Sequence, residues 1–318
     1  MPHSFAFFAN ELNAAHTSTL RSCNPADAKV VKFHMPVSPR MKLAVLGVLL
    51  LFSTNHLSAQ VNEFHVKIEL ISESAAAEAR EPFWVGLLFH LDEGWHIYWQ
   101  NPGDAGEPPK VQWALSPGFT PGLMLWPQPI RLGTGSVIDY GYENQVLLMT
   151  PLLMTPIERS ASSAANSTPV IAADVKYIVC REVCIPGRAH LTLSSPSSAR
   201  QLNQWHQLFE QTRTQIPGPA PKAWKLSART GADNNNNNKD HFILSVRTES
   251  KVHAATFFPA EPGQIENSAP QGFAVTADGF RLSLKKSDLL VKPITSLKGL
   301  LVLGPGRAFD IAAPVAAR

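Results

Sequence analysis

Val175-Lys176-Tyr177-Ile178-Val179-Cys180-Arg181-Glu182-Val183-Cys184-Ile185-Pro186-Gly187 leads from a β-rich run through two cysteines to a proline-glycine break. Residues four apart on a straight strand stand about 13 Å from one another, whereas a disulfide needs Cα atoms about 5.5 Å apart. If Cys180 and Cys184 bond, the chain must turn between them. The pair is therefore expected to flank a tight turn or hairpin at a strand end, with Pro186-Gly187 as the break.

Upstream, the same β character holds. Phe64, Val66, Ile68 and Leu70 recur at every second position, as they do when one face of a strand meets a core and the other meets water. Further strands are expected at 83–90, 110–115, 123–126, 145–154, 170–179 and 189–193. Short strands separated by frequent Gly and Pro breaks describe a sandwich.

Downstream the period changes. Leu202, Trp205, Leu208, Phe209 and Thr212 fall at helical spacings, which predicts one amphipathic helix over 198–215, capped by Ser197 or Ser198 and ended before Pro217. A Pro-rich run to Pro221 reads as a linker. Strands return at 242–246, 254–258, 273–276, 280–284 and 300–303, while Asn234 to Asn238 reads as a polar loop. The expected fold is all-β: a β-sandwich over 60–196, a helix and linker over 197–222, and a second, smaller β domain over 223–318.

The N-terminus is of another kind. Met41-Lys42, an apolar stretch from Leu43 to Phe52 and a small residue at Ala59 have the layout of a secretory signal peptide. The stretch is shorter than the roughly 20 residues of a membrane-spanning helix. Residues 1–59 are thus expected to be a leader, with Met41 as an alternative start. The leader holds Cys23, five of the 28 Lys and Arg and two of the 25 Asp and Glu, which leaves 23 of each sign beyond it. A balanced chain argues against nucleic acid or anionic lipid as a partner, because both select a basic excess. No later segment offers eighteen consecutive apolar residues, so no transmembrane span is expected in the mature chain.

Three chemistries remain open for Cys180 and Cys184. As a staple, a ring of about five residues gains only about 2 kcal/mol from chain entropy. As a metal site, the pair would need further ligands; His90, His96 and His190 are the candidates, or two thiolates alone could take Cu(I). As an exchanging dithiol, one thiolate attacks a partner's disulfide and the second thiol resolves the product. Arg181 and Glu182 bring opposite charges to the turn, the first favouring a thiolate and the second opposing it.

The aromatic residues add a second landmark. Five of the seven tryptophans and all four tyrosines lie between Trp84 and Tyr177, with a dense group in Gly94-Trp95-His96-Ile97-Tyr98-Trp99-Gln100-Asn101-Pro102-Gly103-Asp104. Most should be core residues, since large rings fill a sandwich interior and need a partner for each polar tip.

That group, with Leu125-Trp126-Pro127, Tyr140-Gly141-Tyr142-Glu143 and the 179–186 segment, resembles the N-terminal periplasmic domain of the DsbD and ScsB family of thiol:disulfide interchange proteins. Phe257-Phe258-Pro259 and Ala269-Pro270-Gln271 are similar to the second periplasmic portion of the ScsB-type members. The resemblance implies that the 60–196 sandwich is immunoglobulin-like, in a periplasmic protein that needs no bound cofactor or metal. It would take electrons from a membrane-embedded reductase and its thioredoxin-like domain, and pass them to exported disulfide isomerases or thioredoxin-like proteins. It also implies Cys180 and Cys184 as the redox pair, with Cys184 forming the mixed disulfide and Cys180 resolving it. Trp126, Tyr140 and Tyr142 would then belong to a cap or partner-binding loop between 126 and 142. The rival readings are a non-catalytic β-sandwich module with a structural disulfide, and a Cu(I)-handling dithiol.

Overall fold

β3 (Phe83–Leu91) and β9 (Gln145–Met154) are nearly continuous apolar runs, while β2 (Val66–Ser72) alternates over its first five residues, and the computed structural model shows why: the sheet they build is buried on both faces at its centre. The structure describes residues 60–63, 65–74, 81–133, 135–155, 170–194, 204–231 and 240–316. The leader with Cys23, the cap positions Ser197 and Ser198, and the Asn234 to Asn238 run lie outside them.

The first sheet has the order β1 (Gln60–Glu63), β2, β3, β9, β6 (Phe119–Pro121), all antiparallel. The second runs β11 (Cys184–Ser194), β10 (Val170–Cys180), β4 (His96–Gly103), β8 (Asp139–Glu143), β7 (Ile130–Leu132), with β5 (Lys110–Leu115) also paired to β10. Inward residues of the two sheets, among them Ile68, Leu70, Phe89, Trp99, Tyr140, Val175 and Tyr177, meet in one core. This is the all-β sandwich that the alternation implied, immunoglobulin-like as the resemblance implied.

The outer face of the first sheet presents Ile71, Leu88, Leu147 and Met149, and these pack against Phe209 of α1 (His206–Arg213). Phe209 and Thr212 are buried on the helix, with Trp205 and Leu208 beside them. The described helix is shorter than 198–215, and its N-cap, Trp205, makes no side-chain capping bond.

A third sheet has the order β15 (Thr256–Pro259), β18 (Ser296–Val302), β19 (Ala308–Ala316), β13 (Lys225–Gly231), β14 (His241–Arg247), β17 (Gly279–Lys285), β16 (Gly272–Thr276), and β12 (Gly218–Pro219) joins β19. It folds over a second core containing Phe242, Leu244, Phe257, Leu282, Leu301 and Ile311. Adjacent residues of a strand point to opposite faces, so Phe258, Leu300 and Val302 point the other way, into the core of the sandwich. All described elements belong to one unit, His56–Arg318.

Two expected elements differ. Residues 123–126 form no strand: the segment lies along β9 through Gly122 N–H to Pro151 O and Leu125 N–H to Met149 O, with one isolated bridge. Pro121, Pro127 and Pro129 lack the donors that a longer ladder would need. Pro186-Gly187 is not a break either, because β11 runs through it. β11 lies at the end of its sheet, where a missing proline donor costs no ladder bond. A Cβ at Gly187 would stand 2.3 Å from Tyr177 Cζ, so only glycine lets that ring cross the strand.

Candidate functional site

β10 and β11 form a hairpin whose register runs from Val170 opposite Ser194 to Cys180 opposite Cys184. Arg181, Glu182 and Val183 make the turn, closed by the Arg181 N–H to the Val183 carbonyl. Cys180 and Cys184 are joined as a disulfide, with Cα atoms 4.2 Å apart. Directly opposed residues of an antiparallel pair approach this closely where they do not exchange backbone bonds, at about 4.5 Å. The register alone thus brings the two sulfurs together.

The two cysteines have different surroundings. Cys180 is 2% exposed, whereas Cys184 is exposed at the start of β11, beside Val183 at 63%. Of the two residues, only Cys184 offers appreciable surface to solvent.

β4 supplies the neighbours. His96 is the register partner of Cys180, and the Tyr98 hydroxyl lies 3.6 Å from Cys184 Sγ. The two rings meet edge to face at 5.2 Å. Burial, followed by the nearby Asp139 charge, pushes the Tyr98 phenol up to about 12. It therefore keeps its proton at neutral pH and can donate to sulfur. Burial lowers the His96 imidazole below its ordinary value, against an opposing pull from Glu143. Nε2 of His96 is 3.9 Å from Asp139 Oδ2 and has no hydrogen-bond partner among the described residues. Asp139 is itself raised, by burial first and by Asp104 as well, although the Ala105 N–H bond works in the other direction.

The turn after β4 covers Tyr98. A Cβ on Gly106, whose φ is +72°, would sit 2.1 Å from Tyr98 Cζ, so the backbone there lies flat against the ring. Arg181 lies along the backbone of Gly94 on the other side of the hairpin turn.

Trp126, Tyr140 and Tyr142 occupy other positions. Trp126 is half-buried against the core. Tyr140 is fully buried on β8 and donates to Asn267 Oδ1, and Tyr142, 6% exposed, donates to the Pro127 carbonyl. Both hydroxyls are committed to interior acceptors. Sequence reasoning left Tyr98 and Asp139 without a role at the disulfide and weighed His96 there only as a metal ligand. Tyr98 stands in the aromatic stretch already singled out, but only the β4 to β10 pairing places it beside sulfur.

The other histidines considered as ligands have carboxylate partners: His90 with Glu69 at 3.3 Å and His190 with Asp174 at 2.8 Å. Elsewhere, ligand atoms of Glu73, His206 and Glu210 lie within 4.8 Å of one another. Arg213 already bridges the Glu73 carboxylate with both guanidinium nitrogens and pairs with Glu210. A cation at the centre of the cluster makes it an ion-pair lock for α1. Among the described residues, no helix is long and apolar enough to cross a membrane.

Residues 68–196 match the family described as thiol:disulfide interchange protein DsbD, N-terminal. The crystal structure of the N-terminal periplasmic domain of ScsB from Proteus mirabilis superposes with a TM-score of 0.61 at 16% identity, over 82% of this chain and 98% of that one. No curated protein sequence matches. The 68–196 region is thus a DsbD N-terminal-like domain, and its match spans β2 to β11 with both cysteines.

Proposed function

We propose that Cys180 and Cys184 are a reversible dithiol/disulfide couple that relays reducing equivalents between a membrane-bound reductase and exported disulfide proteins in the periplasm. We take residues 60–196 as the redox domain and 223–318 as a second β domain packed on it. The observation that carries the reading is the asymmetric disulfide at the hairpin mouth, with Cys184 exposed and Cys180 buried. The match to a DsbD N-terminal family supports it.

In the charging step a donor thiolate attacks Cys184 Sγ, the S–S bond breaks, and Cys180 leaves as a thiolate that takes a proton. The donor's second thiol then displaces Cys184, so the donor ends as a disulfide and the pair as two thiols. In the discharging step Cys184 attacks an acceptor disulfide and Cys180 resolves the mixed product. Two electrons pass in each half. The Tyr98 hydroxyl is placed to donate to the Cys184 thiolate, and hydrogen bonding to the charged form favours it.

The test uses Cys180→Ser and Cys184→Ser with a thioredoxin-like Cys-x-x-Cys protein. Cys180→Ser should accumulate a mixed disulfide through Cys184, and Cys184→Ser should trap none. A measured reduction potential below about −300 mV, the range of structural disulfides, would defeat the proposal.

A further inference from the structure

Asn267, in the loop between β15 and β16, is 4% exposed. It makes contact with three parts of the sandwich. Its Nδ2 donates to Asp104 Oδ1 at 2.7 Å, its Oδ1 accepts from the Tyr140 hydroxyl at 2.8 Å, and its backbone carbonyl accepts from Arg131. Nearby, Asn101 Nδ2 donates to the Pro259 carbonyl at 2.7 Å. The third sheet thus grips the end of β4 and the strand β8 beside it.

From Asp104 the contacts lead to the disulfide. Its Oδ2 accepts the Ile138 N–H at 2.8 Å, and its own N–H donates to the Ile138 carbonyl at 3.1 Å. The next residue, Ala105, donates to Asp139 Oδ1 at 2.9 Å. Gly106 then lies on the Tyr98 ring, and the Tyr98 hydroxyl reaches Cys184 Sγ.

We propose that Asn267 is a positioning residue for the redox pair: by holding Asp104 it fixes the 104–106 turn over Tyr98, and so holds the Tyr98 hydroxyl against Cys184. The second β region thereby has a part in the chemistry without touching sulfur. This rests on the exchange reading above. A hydrogen bond to a charged acceptor contributes enough to change an equilibrium about tenfold or more. Loosening the turn should therefore raise the thiol's titration midpoint by about one pH unit. The other ionisable groups around the pair, His96, Asp139, Glu143, Arg181 and Glu182, are the same in every variant compared; charge changes only at 104 and 267, and Asn267→Ala leaves it unchanged.

The experiment measures alkylation of Cys184 against pH with a small neutral reagent, in the full chain carrying Cys23→Ser and Cys180→Ser so that one thiol remains. Asn267→Ala and Asn267→Asp should each slow alkylation about tenfold at pH 7 by moving the profile upward. Tyr98→Phe should do the same, and adding Asn267→Ala to it should change little more. The reciprocal exchange of Asn267→Asp with Asp104→Asn restores every bond. The amide now on the β4 side would donate to the carboxylate now in the β15–β16 loop and accept from the Ile138 N–H, and that carboxylate would accept from Tyr140. The profile of the double variant should return to the parental one, which a merely structural defect would not predict. A parental profile in folded Asn267→Ala, or in Tyr98→Phe, overturns the proposal. Where Asn267 variants do not fold, Asp104→Asn alone removes one accepted bond, and a parental profile there overturns it equally. Failure of the exchange reading is seen separately, as a Cys180–Cys184 bond that resists reduction in the unmutated chain.

Discussion

Phe258→Ala tests whether the third sheet and the sandwich are one cooperative body. Phe257 and Phe258 are neighbours on β15, yet Phe257 fills the third sheet's own core while Phe258, 5% exposed, enters the sandwich core. There its ring meets Tyr140 at 5.1 Å and Trp99 at 6.4 Å, both edge to face. Truncating such a ring costs about 3–5 kcal/mol from lost burial and the remaining cavity. In a chain of this size about 1 kcal/mol moves the midpoint by about 2–4 °C, so the drop should be roughly 6–20 °C. Calorimetry and near-ultraviolet circular dichroism of the oxidised protein would follow it, with Phe257→Ala as the control of equal chemistry. One transition is expected in the parent, lowered by both substitutions. Two transitions, with Phe258→Ala moving only the one that Phe257→Ala also moves, would refute the shared core.

Arg213→Leu removes the cation that holds Glu73. Burial alone would raise that carboxyl, but the Arg213 bond and charge, with His206, hold it below its ordinary value of 4.5. A depressed carboxyl contributes stability above its unfolded value and loses it as pH falls through the folded one. The variant should therefore be weaker by about 1–3 kcal/mol at pH 7 and closer to the parent at pH 3 in urea titrations; an equal gap at both would exclude the ion pair as its source. His96→Phe should spare the protein part of its loss between pH 7 and pH 5, because a buried imidazole titrating below 6.5 favours the unfolded chain as pH falls. Parallel stability curves for variant and parent would contradict this. Gly106→Ala should cost about 1–2 kcal/mol for its backbone conformation alone and displace the Tyr98 ring, so its Cys184 alkylation profile should move with its melting point; a lower midpoint with an unmoved profile would show that the turn does not reach the sulfur.

What could be read in the sequence was whatever is local. The sandwich strands at 110–115 and 145–154 have the expected bounds, and the turn between the cysteines follows from the distance a disulfide can span. Periodicity failed where both faces of a strand are covered. Leu300-Leu301-Val302 divides between two cores, so no polar alternation marks its full length. It failed again at Pro186-Gly187, because edge position and the crossing Tyr177 ring are properties of the assembled sheet. The site divides in the same way. The cysteine spacing is visible in a line of text, but Tyr98 is 86 residues from Cys184 and Asn267 is 163 from Asp104. No spacing rule joins residues that meet only through strand order.

The hairpin also explains why a short-ring disulfide suits exchange better than reinforcement. Its stabilisation by chain entropy, about 2 kcal/mol, is small beside what already fixes the two strands. β10 and β11 are paired from Val170 and Ser194 to the cysteines themselves, and Val175, Tyr177, Val179, Ala189 and Leu191 anchor both in the core. The sulfurs therefore stay opposed whether or not they are bonded, so reduction does not have to unravel the sheet and reoxidation does not have to search for a partner. A staple across a long loop would have the opposite property, since opening it would release the chain it restrains. On the proposed exchange reading, the ladder performs the structural work and the S–S bond is left to open, with Cys180 buried and Cys184 the residue that a partner would meet.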